Sequence, residues 1–310
     1  MFARVASRLL QIIPTLVLIG IVMFVLVRLL PGDPASALLG DRATPENLAR
    51  INAQMGFDQP VYVQFGLYLG RLAHGDLGTS VTRRIPVTRV ILDRLPVTLA
   101  LVGLSSVIAL ALAVPLAFLA ALRRNRPTDV ALRGVFQVGL STPTFYLGLL
   151  LLGFLGAQLR WFPVGGSGEG FWDGLYHLLL PALTLALSLA AILMRSLRSA
   201  VIGVLDSEYV DFARAKGLSP WRVMTGHVLR NAMISTVALL GLNISTLLGN
   251  TVIVESVFAV PGIGALVVEA TFGRDYPVVQ GVTLVLAVMV SLVFLATDLL
   301  ESWLDPRAAA

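Results

Sequence analysis

The sequence predicts an all-α membrane protein with six transmembrane helices. Of its 310 residues, 56% are hydrophobic and only 13% are charged, and the mean hydropathy is +0.84, which is typical of membrane proteins. Helices are expected because open strands leave backbone groups unsatisfied in lipid. Apolar runs that approach or exceed the roughly 20 residues needed to cross a bilayer occupy 9–29, 97–122, 131–158, 175–200, 232–254 and 279–300.

The first apolar run follows Arg4 and Arg8, as the core of a signal peptide would. It reaches Leu30, however, and ends in PGDP without a small-residue cleavage site, so we interpret residues 1–30 as a retained first span. The chain has no cysteine, which excludes disulfides, thiolate metal sites and cysteine catalysis.

The distribution of basic residues predicts the orientation of the spans. Outside the long loop 31–94, one side carries only Arg28, Arg160 and Arg274. The opposite side carries Arg4, Arg8, Arg123, Arg124, Arg126, Arg133, Arg195, Arg198, Arg214, Lys216, Arg222, Arg230 and Arg307. Basic residues accumulate on the cytoplasmic side, so we expect a multi-pass protein with both termini, including the tail 304–310, in the cytoplasm. The net charge of +5 is then a topology signal, and no nucleic-acid partner is indicated.

The loop 31–94 is predicted to be extracytoplasmic and helical. A first helix should start at Thr44 and Pro45 and stop at Gly56. The second should follow Pro60, and the third should run from Pro86 to Leu95. Their apolar faces would be formed by Val61, Phe65, Tyr68 and Leu72, and by Val87, Val90, Ile91 and Leu95. These helices either lie on the bilayer surface or form a docking and vestibule-lining subdomain for an external partner.

Within the remaining core, 95–303, one long polar segment stands out. Residues 203–231, GVLDSEYVDFARAKGLSPWRVMTGHVLRN, separate two apolar runs. A helix over 207–216 should end at Gly217 in the left-handed conformation, and Ser219 with Pro220 should start a second helix. On that helix Trp221, Met224 and Val228 are predicted to share a face. The segment is either a rigid knob that fits a groove on a cytosolic protein or an ordinary loop held at the bilayer by its arginines.

The 203–231 segment resembles the EAA loop of binding-protein-dependent ABC importer permeases, which has an acidic residue, two small residues, three variable positions and a glycine. Asp211, Phe212, Ala213 and Gly217 fill that register. The ARAKG form is similar to the branch that transports dipeptides, oligopeptides and nickel. Further stretches resemble that branch in order and spacing, namely LLPGDPA at 29–35, GFDQPVYVQFGLYLGRLAHGDLGTSV at 56–81, LSTPTFYLG at 140–148, ESVFAVPGIG at 255–264 and RDYPVVQG at 274–281.

The resemblance implies a type I ABC importer permease fold in a bacterial inner membrane. The implied partners are a second homologous permease subunit in a heterodimer, two ATPase subunits that bind ATP and Mg, and an extracytoplasmic solute-binding protein. Substrates would be di- or oligopeptides or related small solutes such as nickel complexes. ATPase coupling would fall to Asp211, Ala213, Arg214, Lys216, Gly217, Trp221 and Arg222.

The sequence also bears on how transport is driven. No GxxxxGK[ST] phosphate loop occurs, so the chain is not expected to hydrolyse ATP or to hold a cofactor of its own. Ionisable residues lie at span ends, whereas ion-coupled carriers keep them near the midplane. A secondary transporter or channel that works without an ATPase is the alternative function, and a membrane enzyme comes third, because no HExxH or GxSxG motif is present.

The fifth span offers candidates for a translocation path. Thr236, Asn243 and Asn250 recur every seven residues and should form one polar stripe. The stripe either lines the path or makes hydrogen bonds between helices.

Several other features suggest local roles. Pro261 and Gly262 are predicted to occupy the centre of a type II turn, either a surface connector or an external gate element. Bends are expected at Pro115, Pro143 and Pro181. The three histidines, His74, His177 and His227, are too scattered to predict a metal site, and we expect His177 to make a hydrogen bond near a helix end.

Overall fold

The computed structural model describes residues 2–29, 44–46, 48–49 and 59–304, and these residues are mostly helical. The helices are α1 (Phe2–Leu29), α2 (Val61–Ala73), α3 (Val87–Leu122), α4 (Pro127–Ser141), α5 (Thr144–Leu151), α6 (Gly170–Leu205), α7 (Glu208–Ala215), α8 (Pro220–Arg222), α9 (Arg230–Val257), α10 (Ile263–Phe272) and α11 (Tyr276–Leu304). Two π-helical segments, Leu152–Gln158 and Val223–Leu229, follow α5 and α8. The all-α prediction is thus confirmed for the described residues.

Four helices are long and apolar enough to cross a membrane, namely Val87–Leu122, Gly170–Leu205, Thr236–Val257 and Tyr276–Leu300. A fifth candidate is the pair Pro127–Ser141 and Thr144–Gln158, which is bent by 105°. The remaining predicted span, 9–29, lies in α1, whose described apolar stretch Ile13–Leu26 is shorter than a crossing needs. The structure therefore supports four to five of the six predicted spans.

Proline affects these helices unequally. The 105° bend lies at Thr142 and Pro143, as predicted, because proline disfavours helical geometry in the preceding residue. By contrast, α3 runs through Pro115 and α6 runs through Pro181 without a break in the assigned helix.

The chain divides into two compact units, and the first comprises Met1–Thr98 and Pro261–Ser291. Its core joins the first turns of α3 to α10 and the start of α11, and consists of Val87, Val90, Ile91, Ile263, Leu266, Ala270, Val278 and Val282. The predicted apolar face of 86–95 is therefore confirmed. The prediction of a separate short helix is wrong, because the helix continues through Pro96 to Leu122.

The predicted second helix of the 31–94 loop is α2, and it packs on α1. The ring of Phe24 lies 5.1 Å from that of Phe65 and 5.6 Å from that of Tyr68. The first predicted helix begins as expected, since the Leu48 amide donates to the Thr44 carbonyl at 2.9 Å. Its predicted stop at Gly56 lies outside the described residues.

In this first unit, the buried carboxylate of Asp275, between α10 and α11, binds residues 80–82. Asp275, 1% exposed, accepts hydrogen bonds from the hydroxyls of Ser80 (2.5 Å) and Thr82 (2.7 Å) and from the amides of Val81 and Thr82 (both 3.1 Å). Burial by itself would raise the pKa of Asp275, but these donors outweigh it and hold the pKa below its ordinary value. We call these four residues the Asp275 network.

The predicted type II turn at Pro261 and Gly262 is wrong. A type II turn needs a positive φ at its third residue, whereas Gly262 has φ −97° and ψ −176° and serves as the N-cap of α10. The left-handed residue is Ala259, with φ 48°. The amides of Ala259 and Val260 bond back to the carbonyls of Ser256 and Glu255, which closes α9 with a Schellman motif.

The second unit comprises Leu99–Val260 and Leu292–Ala310, and the described helices α4, α5, α6 and α9 pack together within it. Phe258, fully buried, inserts where Gly148 of α5 and Thr184 of α6 leave room, because a Cβ on Gly148 would come within 3.2 Å of its ring. Gly241 of α9 is needed for a close crossing with Thr297 of α11, since any Cβ there would overlap the Thr297 side chain. These close contacts order the helices that flank the 203–231 segment.

Candidate functional site: the 203–231 segment

The 203–231 segment folds as the predicted helix, turn and second helix. Helix α7 ends at Ala215, and Gly217 takes the left-handed conformation with φ 77°, which confirms that prediction. Its amide donates to the carbonyl of Arg214, and the amide of Leu218 donates to that of Ala213, which together form a Schellman motif. Glycine is suited to this position because it has no Cβ to clash in the left-handed region.

The second helix does not stop after one turn. It begins at Pro220 after Ser219, as predicted, and α8 passes through the π-helical segment Val223–Leu229 directly into α9. In a π-helix residues five apart share a face, and accordingly Val223 and Val228 are buried at 2% and 0% exposure. The predicted shared face of Trp221, Met224 and Val228 is therefore wrong, because Trp221 is 76% exposed.

One side of the segment packs inward. Val210 and Ala213 of α7 are buried, and α7 contacts the π-helical segment, which also contacts α6. Among the residues predicted to couple to an ATPase, Ala213 thus belongs to the packed side.

The other side of the segment is an exposed surface that carries most of the predicted coupling residues. These are Asp211, Arg214, Lys216, Gly217, Trp221 and Arg222. Phe212 joins them at 63% exposure, with the Lys216 Nζ 4.6 Å from the centre of its ring. Arg214 and Asp211 form an exposed ion pair at 3.3 Å. Aromatic side chains are enriched at protein interfaces, and the sequence prediction did not include Phe212 among the site residues.

Next to the segment lies a buried ion pair that the sequence analysis missed. Asp129, in the first turn of α4, is fully buried and accepts from Arg198 of α6 at two atoms, Nε to Oδ1 at 2.7 Å and Nη2 to Oδ2 at 2.6 Å. The amide of Asn125 donates at 2.9 Å, and Arg133 lies 3.4 Å away. We call these four residues the Asp129 network. The available signal was that Asp129 is the only acidic residue between Asp93 and Glu169, and it lies among arginines.

The predicted polar stripe lies on α9 but bonds largely to its own helix. Thr236, fully buried, donates to the Ala232 carbonyl at 3.0 Å, and Asn243, half-buried, donates to the Leu239 carbonyl at 2.7 Å. Asn250 is also half-buried. Both bonds lie within α9. The sequence analysis offered hydrogen bonding between helices as the alternative to path lining, and these two bonds are not of that kind.

Of the histidines, His177 makes the expected bond near a helix end, with its Nδ1 2.9 Å from the carbonyl oxygen of Asp173. His74 contacts the Gly70 carbonyl in the same manner at 2.8 Å. Within the described ranges no three histidine or acidic side chains come together as a metal site.

Comparison with known proteins gives the family. The model of the binding-protein-dependent transport system inner membrane component matches residues 113–310, and the model of the N-terminal part of such components matches residues 1–102. The oligopeptide transport system permease protein AppB of Bacillus subtilis (strain 168) is 37% identical over 313 residues, 99% of each chain. The glutathione transport system permease protein GsiC of Salmonella choleraesuis (strain SC-B67) is 39% identical over 306 residues, 99% of this chain and 98% of the relative.

A solved structure of the MetNI methionine ABC transporter in an inward-facing conformation shares the fold. Its TM-score is 0.59 at 17% identity, and the match covers 70% of this chain and 97% of that one. The resemblance noted in the 203–231 segment is thereby confirmed at the level of the whole chain. The chain belongs to the family of binding-protein-dependent transport system inner membrane components, and it is a multi-pass, non-catalytic permease subunit of the inner membrane.

Proposed function

We propose that this permease subunit moves di- or oligopeptides, or related small solutes such as nickel complexes, in an ATP-binding-cassette importer. The peptide class is supported by the relatives, one named for oligopeptides and another for the tripeptide glutathione. A separate solute-binding protein would select the cargo and deliver it from outside the membrane. Two ATPase subunits would bind ATP and Mg, and a second homologous permease would complete a heterodimer.

The main observation behind the proposal is how the 203–231 segment is connected and packed. It joins α6 to α9, both candidate spans, and it is packed on one side and exposed on the other. A stiff segment fixed to two spans transmits a push or pull to both, whereas a slack loop would absorb it. We therefore assign ATPase docking to its exposed surface, formed by Asp211, Arg214, Lys216, Gly217, Trp221 and Arg222, with Ala213 packed behind it.

The proposed topology has six spans, with α1 as the first, both termini in the cytoplasm and 31–94 outside. The asymmetry of the arginines supports it, because basic residues concentrate at the side that holds the 203–231 segment. Residues 31–94 and 255–279 would then receive the loaded binding protein, with Pro261 and Gly262 at an external gate.

We further propose that Thr236, Asn243 and Asn250 line the translocation path. Supporting this, the Asn243 side chain donates to its own helix through Nδ2, and no donor among the described residues bonds its Oδ1, which leaves that oxygen to accept from a peptide or water. Replacing both asparagines with leucine should reduce uptake while the subunit still assembles with its partners. Wild-type uptake by the double variant would contradict the assignment.

Docking and sidedness are testable together, because the chain contains no cysteine and single cysteines can be placed without background. Ser219 is exposed and its side chain makes no capping bond, so Ser219→Cys is a mild change. Phe171→Cys is the matched control, since Phe171 is 75% exposed near the opposite end of α6. That helix of 36 residues is about 54 Å long at 1.5 Å per residue.

We expect Ser219→Cys to cross-link to the ATPase and to react with an impermeant thiol reagent only from the cytoplasm. Phe171→Cys should react from outside and give no ATPase product. Labelling of Ser219→Cys from outside would refute the topology, and the absence of any ATPase cross-link would refute the docking assignment.

A further inference from the structure

Helix α4 is not adjacent to the 203–231 segment in the chain, so connectivity alone does not explain how a movement of that segment would reach α4. The 203–231 segment is covalently joined to α6 and α9, so a force on it passes along the backbone to both. Along the chain, α4 is joined to α6 only by way of α5 and residues 152–169, which meet α6 at its other end. At the end of α6 nearest the segment, a force therefore reaches the start of α4 through noncovalent contacts. Among the described helices α4 packs on α6, and its polar connection there is Asp129 to Arg198.

The geometry of the Asp129–Arg198 pair restricts the orientation of the two side chains as well as the distance between them. Two parallel bonds between a planar guanidinium and a carboxylate restrict rotation, which a single ammonium contact would leave free. Asp129 is fully buried and the Arg198 side chain is 16% exposed. Burying such a pair is costly, and apolar residues of similar volume often stabilise a fold equally well. Its presence between two spans therefore suggests a role in positioning.

A second, exposed contact runs between the same two parts of the chain. Arg124, in the turn before α4, lies 3.0 Å from Asp206, the residue that follows α6 and comes two residues before α7. Within that turn Asn125 is left-handed, with φ 62°, and its amide donates to Asp129. The turn, the start of α4 and the end of α6 are thus joined at the point where the 203–231 segment begins its first helix.

We propose that Asp129 and Arg198 are positioning residues that lock the start of α4 to the end of α6, so that a movement of the 203–231 segment carries α4 with it as one rigid body. This proposal rests on the proposed function, since it needs an ATPase that moves the segment. The lock stays closed throughout the transport cycle. Its loss uncouples ATP hydrolysis from uptake even where the complex still assembles.

The first test measures ATP hydrolysed per solute taken up by the complete complex in liposomes with its binding protein. Arg198→Lys keeps the charge but cannot make both bonds, and we expect it to raise the ratio at least threefold. Arg133→Lys is the matched control. Arg133 contacts the same Asp129 carboxylate, but from an exposed position on α4, the helix of Asp129 itself. The ratio of ATP hydrolysed to solute taken up should therefore not change in this variant. A purely structural role would lower the yield of complex and leave the ratio unchanged.

An unchanged ratio for Arg198→Lys, with a wild-type complex that couples normally, overturns the positioning role and leaves the proposed function standing. A wild-type complex whose uptake does not depend on ATP overturns both. If Arg198→Lys fails to assemble, the second test decides.

The second test keeps the Asp129 network intact and fixes the exposed contact. In an Arg124→Cys/Asp206→Cys protein, a short bifunctional thiosulfonate joins the two positions. Because the lock never opens, uptake after cross-linking should remain within twofold of uptake by the same protein after reduction. The single Arg124→Cys variant controls for the reagent. Loss of uptake that a reductant restores would show that the two parts separate, and would overturn the proposal.

Discussion

Asp129 and Asp275 are both buried carboxylates that join parts of the chain far apart in sequence, but their partners differ. Asp129 depends on the guanidinium of Arg198, with the Asn125 amide and a longer contact to Arg133 in support. Within the part of the chain that the structure describes, the donors to Asp275 are all neutral, two hydroxyls and two backbone amides. One network concentrates its stabilisation in a charged partner, and the other divides it among four neutral donors.

The difference suggests different tasks. An arginine side chain reaches across the space between two helices and can tie α4 to α6, whereas hydroxyls and amides bond only a carboxylate that lies directly against their backbone. The Asp275 network therefore fixes the turn at 80–82 onto the α10–α11 junction. The Asp129 network fixes one span to another. Removal of a single partner should consequently harm the Asp129 network much more.

The largest effect is expected from Arg198→Ala, which leaves the Asp129 carboxylate buried without its main partner. Removing one member of a buried ion pair typically costs about 3–5 kcal/mol of unfolding free energy. The measurement is the thermal or denaturant midpoint of the purified complex. Arg133→Ala, which removes a partner that is 49% exposed, should cost less than about 1 kcal/mol. Equal losses of unfolding free energy in the two variants would contradict the view that Arg198 is the main partner of Asp129.

A smaller effect is expected from Ser80→Ala. It removes one of four neutral donors to Asp275, and the carboxylate retains the other three. A net loss of about 0.5–1.5 kcal/mol is typical of one hydrogen bond, although a bond to a charged group can reach about 3 kcal/mol. The same unfolding measurement applies. A loss as large as that of Arg198→Ala would contradict the view that the Asp275 network is divided among equivalent donors.

The smallest effect concerns pH. Because the folded-state pKa of Asp275 is lower than its ordinary value of 3.8, its contribution is fully present above that value and is lost as pH falls through the folded pKa. Asp275→Asn cannot titrate at this position. The midpoints of the wild type and this variant should therefore differ by a constant amount from pH 7 to about pH 5, should begin to converge below about pH 4, and should meet as pH falls through the folded pKa. If the two midpoints differed by the same amount at all pH values, the lowered pKa of Asp275 would be contradicted.

The sequence predicted those parts of the fold and site that depend on local chemistry. Gly217 was identified as a left-handed helix end because few other residues tolerate that conformation, and Ser219 with Pro220 marked the next helix start. The apolar face of Val87, Val90 and Ile91 followed from helical spacing. Each of these features is decided by residues within a few positions of one another.

The failures depended on distant or competing interactions. Asp129 and Arg198 are 69 residues apart, so no local pattern pairs them. The π-helical segment Val223–Leu229 changed which side chains share a face, and its spacing is set by packing on α6 and α7. At 259–262 the Schellman motif placed the left-handed conformation on Ala259, where a glycine-based turn rule selects Gly262.

The central claim, that the 203–231 segment transmits ATPase motion as a rigid body, is tested most directly at Gly217. A Cβ there would meet no atom of this chain within 4 Å, so within this subunit a substitution acts through backbone conformation, and Gly217→Asn controls for an added side chain on the docking surface. Gly217→Val opposes the left-handed conformation by about 1–3 kcal/mol, whereas Gly217→Asn tolerates it better. Gly226→Ala is a matched control, because Gly226 also faces open space, without a positive φ.

The quantity to measure is ATP hydrolysed per solute transported by the reconstituted complex, with binding-protein affinity as a second readout. We predict that Gly217→Val raises this ratio several-fold without changing the affinity, while Gly217→Asn and Gly226→Ala stay near the wild-type ratio. A wild-type ratio for Gly217→Val would contradict the account.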